Sequence, residues 1–393
     1  MPLPHFDQLE KPAKTGSMGY DMTTAKIDTN EVLVDCQSVW KVFGKNASAA
    51  MTAVVQQGLT KTQILQDYSC VVGVSDVNLQ VRRGEIFCIM GLSGSGKSTL
   101  IRLLNKLITP SAGKVFVKGQ DLAALAPAKL REVRARHIGM VFQSVALLPN
   151  RTVLENTAFG LEVQGVGKVE RYKVAQAALA KVGLSEWESR YPSELSGGMQ
   201  QRVGLARAIT ADPEIILMDE PFSALDPLIR RQLQDEFRQL TKDLGKSAVF
   251  ITHDLEEAIR IGDRIAIMKD GVIIQVGTAE DIVLNPADDY VAEFVAGISR
   301  LHLVKAHSLM TPVAAYLAAN PNGDIDRLST TSPSADIDEL IGLTMTSDRD
   351  ALAVVDAGVV VGVITTRDLL RGVQGIANEF VVPAAGTVLE VST

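Results

Sequence analysis

The sequence predicts an α/β fold: a mostly parallel sheet covered by helices on both faces, followed by a smaller α+β module. Short all-apolar runs alternate with longer stretches of helical period, the pattern of buried parallel strands joined by crossover helices. One such junction, after Ile86-Phe-Cys-Ile-Met90, holds a glycine-rich loop and then Leu100, Leu103, Leu104 and Leu107 at helical spacing until Pro110. After Gly297 the chain turns polar, dense in Ser, Thr, Asp and Pro near 321–338, which marks a boundary.

Taken in order, residues 1–30 carry Pro2, Pro4, Pro12 and Gly16 and read as an N-terminal arm. From Glu31 to Gly44 the alternation of Val32, Val34 and Cys36 predicts a strand. Residues 47–68 read as two short amphipathic helical stretches, broken at Gly58-Leu-Thr60. Strands are expected at 74–81, 86–90 and 114–118, and short apolar strands at 138–142, 214–218 and 247–251. Helices are expected at 127–136, 152–163, 168–182, 197–210 and 228–243, with strand-rich sequence at 264–276. The main domain thus covers 31–297, and the second covers 298–393. In the second, Ala351-Leu-Ala-Val-Val-Asp356, a turn at Gly358 and Val359 to Thr365 predict a hairpin, followed by a helix from Thr366-Arg-Asp368.

The 393 residues suffice for two or three domains with a substantial core. A net charge of −7 argues against a large nucleic-acid footprint. Cys36, Cys70 and Cys88 have neither metal-site spacing nor a disulfide framework, and Cys88 reads as core filler. No window reaches the about 18 apolar residues a membrane span needs, and the N-terminus lacks the pattern of a signal peptide. Any membrane attachment is therefore expected through a partner.

Chemistry concentrates in Gly91-Leu-Ser-Gly-Ser-Gly-Lys-Ser98. Glycines let the backbone curl so that successive N–H groups face a phosphate chain, and the following helix adds its positive end. Lys97 can reach the β- and γ-phosphates, and Ser98 can place its hydroxyl on Mg²⁺. Ile215-Ile-Leu-Met218 followed by Asp219-Glu220 describes a buried strand whose tip carries two acids, at the sheet end where ligands gather. Asp219 can serve Mg²⁺, and Glu220 can polarise an attacking water. A further helix start, Ser196-Gly-Gly198, offers a second anion site. One ATP does not need both sites from one fold, and sharing them across a two-fold interface resolves the surplus.

Leu195-Ser-Gly-Gly-Met-Gln200 resembles the signature motif of ABC-transporter ATPases, and the rest of that set follows its order. Gln143 matches the Q-loop glutamine, Ser223-Ala-Leu-Asp226 the D-loop and His253 the switch histidine. Phe43 resembles the aromatic that stacks on adenine, with Trp40 a weaker match. The resemblance implies a P-loop head with a RecA-like core, a small antiparallel β part and a helical subdomain. It also implies an ATP-closed dimer in which Glu220, His253 and Lys97 are catalytic. ATP contacts would come from Phe43, Gly91, Ser93, Gly94, Ser95, Gly96, Lys97, Ser98, Thr99 and Gln143. Ser196, Gly197, Gly198, Gln200 and Asp226 would contribute from across the interface, and Ser98, Gln143 and Asp219 would hold Mg²⁺.

More narrowly, the 46–73 insertion, Met218 to Pro227 and Arg260-Ile-Gly-Asp-Arg-Ile-Ala-Ile-Met268 resemble the ATPase subunits of glycine betaine/proline betaine importers. Family members also serve choline or trimethylamine N-oxide. The implied partners are a second copy, transmembrane permease subunits and, indirectly, a substrate-binding protein, with the chain on the cytoplasmic face of the bacterial inner membrane. The hairpin and helix near the C-terminus resemble the second half of a CBS domain. Thr365 and Asp368 match positions that contact a regulatory nucleotide's ribose, while 304–345 matches a first repeat poorly. A pure dimerisation role for this module, an importer of another solute such as an amino acid, and a soluble DNA-repair or translation ATPase are the competing readings. Of the remaining histidines, His137 reads as surface or packing, and His5, His302 and His307 form no metal constellation.

Overall fold

The computed structural model describes residues 31–321, 324–347 and 349–375. The proposed arm, including His5, and residues 376–393 of the second module lie outside that range. The first ten strands are β1 (Val32–Phe43), β2 (Val71–Arg82), β3 (Ile86–Met90), β4 (Ala112–Val117), β5 (Gln120–Asp121), β6 (Ile138–Val141), β7 (Ile215–Asp219), β8 (Ser247–Thr252), β9 (Arg264–Lys269) and β10 (Val272–Gly277). They form an antiparallel sheet of order β2-β1-β4-β5 and a six-stranded sheet of order β10-β9-β3-β8-β7-β6. Within the larger sheet all pairs are parallel except β9 with β10.

The apolar runs follow from burial on both faces of the larger sheet. Ile86, Cys88, Met90, Ile216, Met218, Ala248 and Phe250 point into one layer, with helices Gly197–Thr210, Pro227–Asp243 and Leu255–Ile261. Phe87, Ile89, Ile215, Leu217, Val249 and Ile251 point into the other, with helix Lys97–Leu104 and the antiparallel sheet. Phe250 carries the first layer, its ring 5.8 Å from Phe222 and 6.2 Å from Phe237. Each fully buried Val, Leu, Ile, Met or Phe among them contributes roughly 1.5–3 kcal/mol.

The insertion forms two helices, Ala47–Gln57 and Lys61–Tyr68. Gly58 ends the first in a left-handed conformation, and Thr60 opens the second with a capping box to Gln63. Met51, Ile64 and Cys70 make its own small core, against which Trp40 packs. Val153–Val163 and Lys168–Lys181 complete the helical layer beside Gly197–Thr210.

Two short helices, Ala279–Leu284 and Asp289–Val295, follow β10 and were not visible as periodic sequence. The second module has strands β11 (Thr311–Pro312), β12 (Ser329–Thr331), β13 (Ala351–Asp356) and β14 (Val359–Thr365), in the order β11-β14-β13-β12. The segment 304–345 therefore feeds the same sheet as the hairpin, adding helices Val313–Ala319 and Ile337–Thr346. The module touches the head: Ile298 and Leu303 pack on the head's core, and Leu284 packs on the module's. Glu280 accepts the Lys305 N–H at 2.7 Å and lies 3.4 Å from His307 Nε2.

Candidate active site

Registers within the larger sheet align the C-terminal ends of four parallel strands: Met90 faces Thr252, Asp219 faces Ile251, and Val141 faces Met218. From that rim emerge the glycine-rich loop, the Asp219-Glu220 pair, His253 and the Gln143 segment. The topology thus gathers at one edge what the sequence separates by more than a hundred residues.

The loop has the shape of an anion cradle. Gly91 adopts φ +155°, and a Cβ there would lie 2.1 Å from the Met268 carbonyl oxygen; Gly96 adopts φ +104°, and a Cβ would lie 2.3 Å from that of Gly73. Any side chain at either position would push the loop off its neighbours. Gly271 donates its N–H to the Ser95 carbonyl at 2.7 Å, so the turn between β9 and β10 buttresses the loop. Among the described residues the buried Ser95 hydroxyl has no hydrogen-bond partner, so it could donate to an anion in the loop. Lys97 is only 4% exposed and donates to the Gly91 and Leu92 carbonyls at 2.7 and 3.0 Å. Burial lowers its pKa, while Glu220 and Asp219 oppose that shift. Ser93, Gly94 and Thr99 lie in the same loop and first helical turn.

Ser98 Oγ donates to Asp219 Oδ1 at 2.9 Å, which sets a hydroxyl beside a carboxylate. That oxygen pair suits a hard cation such as Mg²⁺, which keeps several waters and takes few protein ligands. Gln143 is not joined to them: its amide Nε2 points to Ser223 Oγ at 3.5 Å. Glu220 lies just past the strand with φ +45°, a left-handed conformation rare for a non-glycine residue. Its N–H bonds the Ile251 carbonyl at 3.1 Å. One carboxylate oxygen is 3.0 Å from His253 Nδ1, and the other is 4.0 Å from Lys97 Nζ. The structure therefore brings the acid, the histidine and the lysine together beside the loop.

Phe43 is exposed at the end of β1. A Cβ on Gly73 would lie 2.8 Å from its ring, and Gly73 itself lies against Gly96, so the ring stands beside the phosphate loop. Trp40 instead packs against the insertion's core. Ser196 caps helix Gly197–Thr210, its hydroxyl accepting from the Met199 N–H at 3.3 Å. Gly198 is packed so closely that a Cβ would lie 2.9 Å from Ile229. Gln200 donates to the Pro192 and Leu195 carbonyls, holding the turn before the helix. Among the described residues no hydrogen bond or ion pair joins Ser196–Gln200 to the phosphate loop, and Asp226 is exposed with no side-chain cap.

Two features escaped the sequence reading. Arg230 donates to the carbonyls of Ser223 and Leu225, and Glu257 is buried with Gln234 and Thr252 on its carboxylate. Burial pushes the Glu257 carboxyl up despite those bonds. Neither belongs to a motif that marks it: what Arg230 and Glu257 contact is set by how helix Pro227–Asp243 and the turn after β8 fold.

A family model described as "ABC transporter" matches residues 74–223. The chain is 51% identical over 284 residues to the glycine betaine transport ATP-binding protein OpuAA of Bacillus subtilis, covering 72% of this chain and 68% of that one. It is 46% identical to the glycine betaine/proline betaine transport system ATP-binding protein ProV of Escherichia coli, covering 83% of this chain and 79% of that one. With the trimethylamine N-oxide transport system ATP-binding protein TmoW of Ruegeria pomeroyi it shares 44% identity over 86% of this chain and 96% of that one. Among solved structures, the ATP-binding cassette MJ0796 as a dimer bound to ADP and Pi superposes with a TM-score of 0.53 at 31% identity, over 63% of this chain and 99% of that one. With the glycine-rich loop, the paired acids and His253 on one sheet rim, and these relatives over most of its length, the chain belongs to the ATP-binding subunits of ABC transporters and is a nucleotide-binding ATPase of that type.

Proposed function

We propose that this chain energises import of a quaternary or methylated amine such as glycine betaine, proline betaine, choline or trimethylamine N-oxide. The observation that carries the catalytic half is the Glu220 carboxylate, held between His253 and Lys97 beside the phosphate loop. The names of the relatives support the solute class. In this reading ATP lies along Gly91–Thr99 with adenine on Phe43, and Lys97 exchanges its loop carbonyls for the β- and γ-phosphates. Glu220 orients the attacking water and accepts its proton, and His253 steadies Glu220 and contacts the γ-phosphate. Ser98 and Asp219, with Gln143 brought in on closure, would hold Mg²⁺, which neutralises charge developing on the phosphates.

Two copies would share each ATP, with Ser196, Gly197, Gly198, Gln200 and Asp226 of one facing the loop of the other. The lack, among the described residues, of any hydrogen bond or ion pair from those residues to the loop of their own chain supports this, as does the dimeric form of MJ0796. No helix among the described residues is long and apolar enough to cross a membrane, which fits attachment at the cytoplasmic face through permease subunits served by a binding protein.

We assign the second module a regulatory role. Thr365 lines a cavity of about 690 Å³ with Tyr316, Arg349, Asp350 and Arg367, which supports contact with an adenine nucleotide. The Thr365 hydroxyl and the Asp368 carboxylate are both engaged with each other in a capping box, so a ribose contact would have to compete with it. The test of the whole reading is uptake into vesicles carrying the complete transporter. Labelled betaine, choline or trimethylamine N-oxide should enter only with ATP, and excess unlabelled amino acid should not compete. Amino-acid or sugar uptake would contradict it. The same vesicles with the chain cut after Leu303 should lose the dependence of uptake on salt or added nucleotide.

A further inference from the structure

Arg230 lies within the first turn of helix Pro227–Asp243, at the helix's positive end. A cation there is mildly unfavourable, so its place calls for a local reason. Its Nη2 donates backwards to the carbonyls of Leu225 at 3.0 Å and Ser223 at 3.3 Å. Its Nη1 lies 3.8 Å from Asp254 Oδ2. The other oxygen of Asp254 caps helix Leu255–Ile261, accepting the Glu257 N–H at 3.2 Å.

These contacts close a ring. Ser223 Oγ donates to the Glu220 carbonyl at 3.1 Å, and the Glu220 carboxylate meets His253 at 3.0 Å. Asp254 follows His253 in the chain, and Arg230 joins Asp254 back to Ser223. One guanidinium thus sets the segment 223–226, the turn bearing the switch histidine and the strained Glu220 relative to one another. Gln234, one turn further along Arg230's helix, braces the same corner through the buried Glu257 at 2.8 Å.

We propose that Arg230 is a positioning residue for hydrolysis: it holds the D-loop and the switch histidine in the register that Glu220 requires, without touching nucleotide. This rests on the reading of Glu220 and His253 given above. Arg230→Lys keeps the charge, but a single ammonium cannot span two carbonyls and Asp254 in the planar fork that arginine supplies. In the full-length chain, kcat should fall about 10-fold or more, with the KM and equilibrium Kd for ATP within about twofold. Asp254→Asn retains a cap but loses the charge partner. The double variant Arg230→Lys/Asp254→Asn should lose little beyond either single change, as expected for residues acting as a unit. Wild-type kcat in Arg230→Lys, a parallel loss of nucleotide affinity, or losses that multiply in the double variant would each overturn the proposal. Glu220→Gln measured alongside separates the two readings. If it hydrolyses normally, the catalytic assignment fails, whereas the Arg230–Asp254 coupling is still judged by its own cycle.

Discussion

Lys97 is buried, and both of its hydrogen bonds go to carbonyls of the loop it serves. A lysine desolvated in this way is held ready for an anion, because phosphate oxygens replace neutral carbonyls with charge-assisted partners. Lys97→Ala should therefore weaken ATP binding roughly 10- to 100-fold in an equilibrium titration while leaving the fold intact. Unchanged affinity would remove Lys97 from the phosphate site. Glu220 differs in kind: its carboxylate faces His253 and Lys97, and its positive φ aims it from the strand end. The placement of Lys97, Ser98, Asp219, Glu220 and His253 at one sheet rim was legible because each sits in a short contiguous pattern. The positive φ of Glu220 and the backward reach of Arg230 to the Ser223 and Leu225 carbonyls were not, because backbone strain and side-chain bonds to main-chain carbonyls leave no mark in residue identity.

At the scale of elements, Glu214 clamps the two sheets together at the start of β7. It meets Lys118 after β4 at 2.7 Å, Arg83 after β2 at 2.5 Å and His137 at the end of helix Pro127–His137 at 2.9 Å. Burial would raise its carboxyl, but the hydrogen bonds from Lys118, Arg83 and His137 outweigh it and bring its pKa from 4.5 down to about 2. The folded value lies below the unfolded one, so the contribution is complete above pH 4.5 and fades as the pH falls toward about 2. Glu214→Gln should lower unfolding stability at neutral pH by about 2–3 kcal/mol, and the gap from wild type should narrow on acidification. A gap independent of pH in denaturant titrations would refute the clamp. His137, read as surface or packing, is partly buried and hydrogen-bonded to Glu214. The parallel strands were readable because burial on both faces makes them wholly apolar. Helices Ala279–Leu284 and Asp289–Val295 were not, being too short to show a period, and the single sheet of the second module was hidden by the distance between β12 and β13.

At the scale of the whole molecule, the chain divides the site it needs. The phosphate loop, acids and histidine share one rim, while Ser196–Gln200 opens a helix with no bonded link to that rim among the described residues. A second copy supplies the missing half in our reading, and hydrolysis by Glu220 then separates the copies. Glu220→Gln tests both statements in one protein. It removes the charge that orients water and leaves the cradle formed by the loop and Lys97 intact, so turnover should fall by about 10²-fold or more. ATP affinity should be retained, and sizing with ATP should reveal a stable dimer that Ser196→Arg abolishes. Steady-state hydrolysis close to wild type in Glu220→Gln would contradict the account.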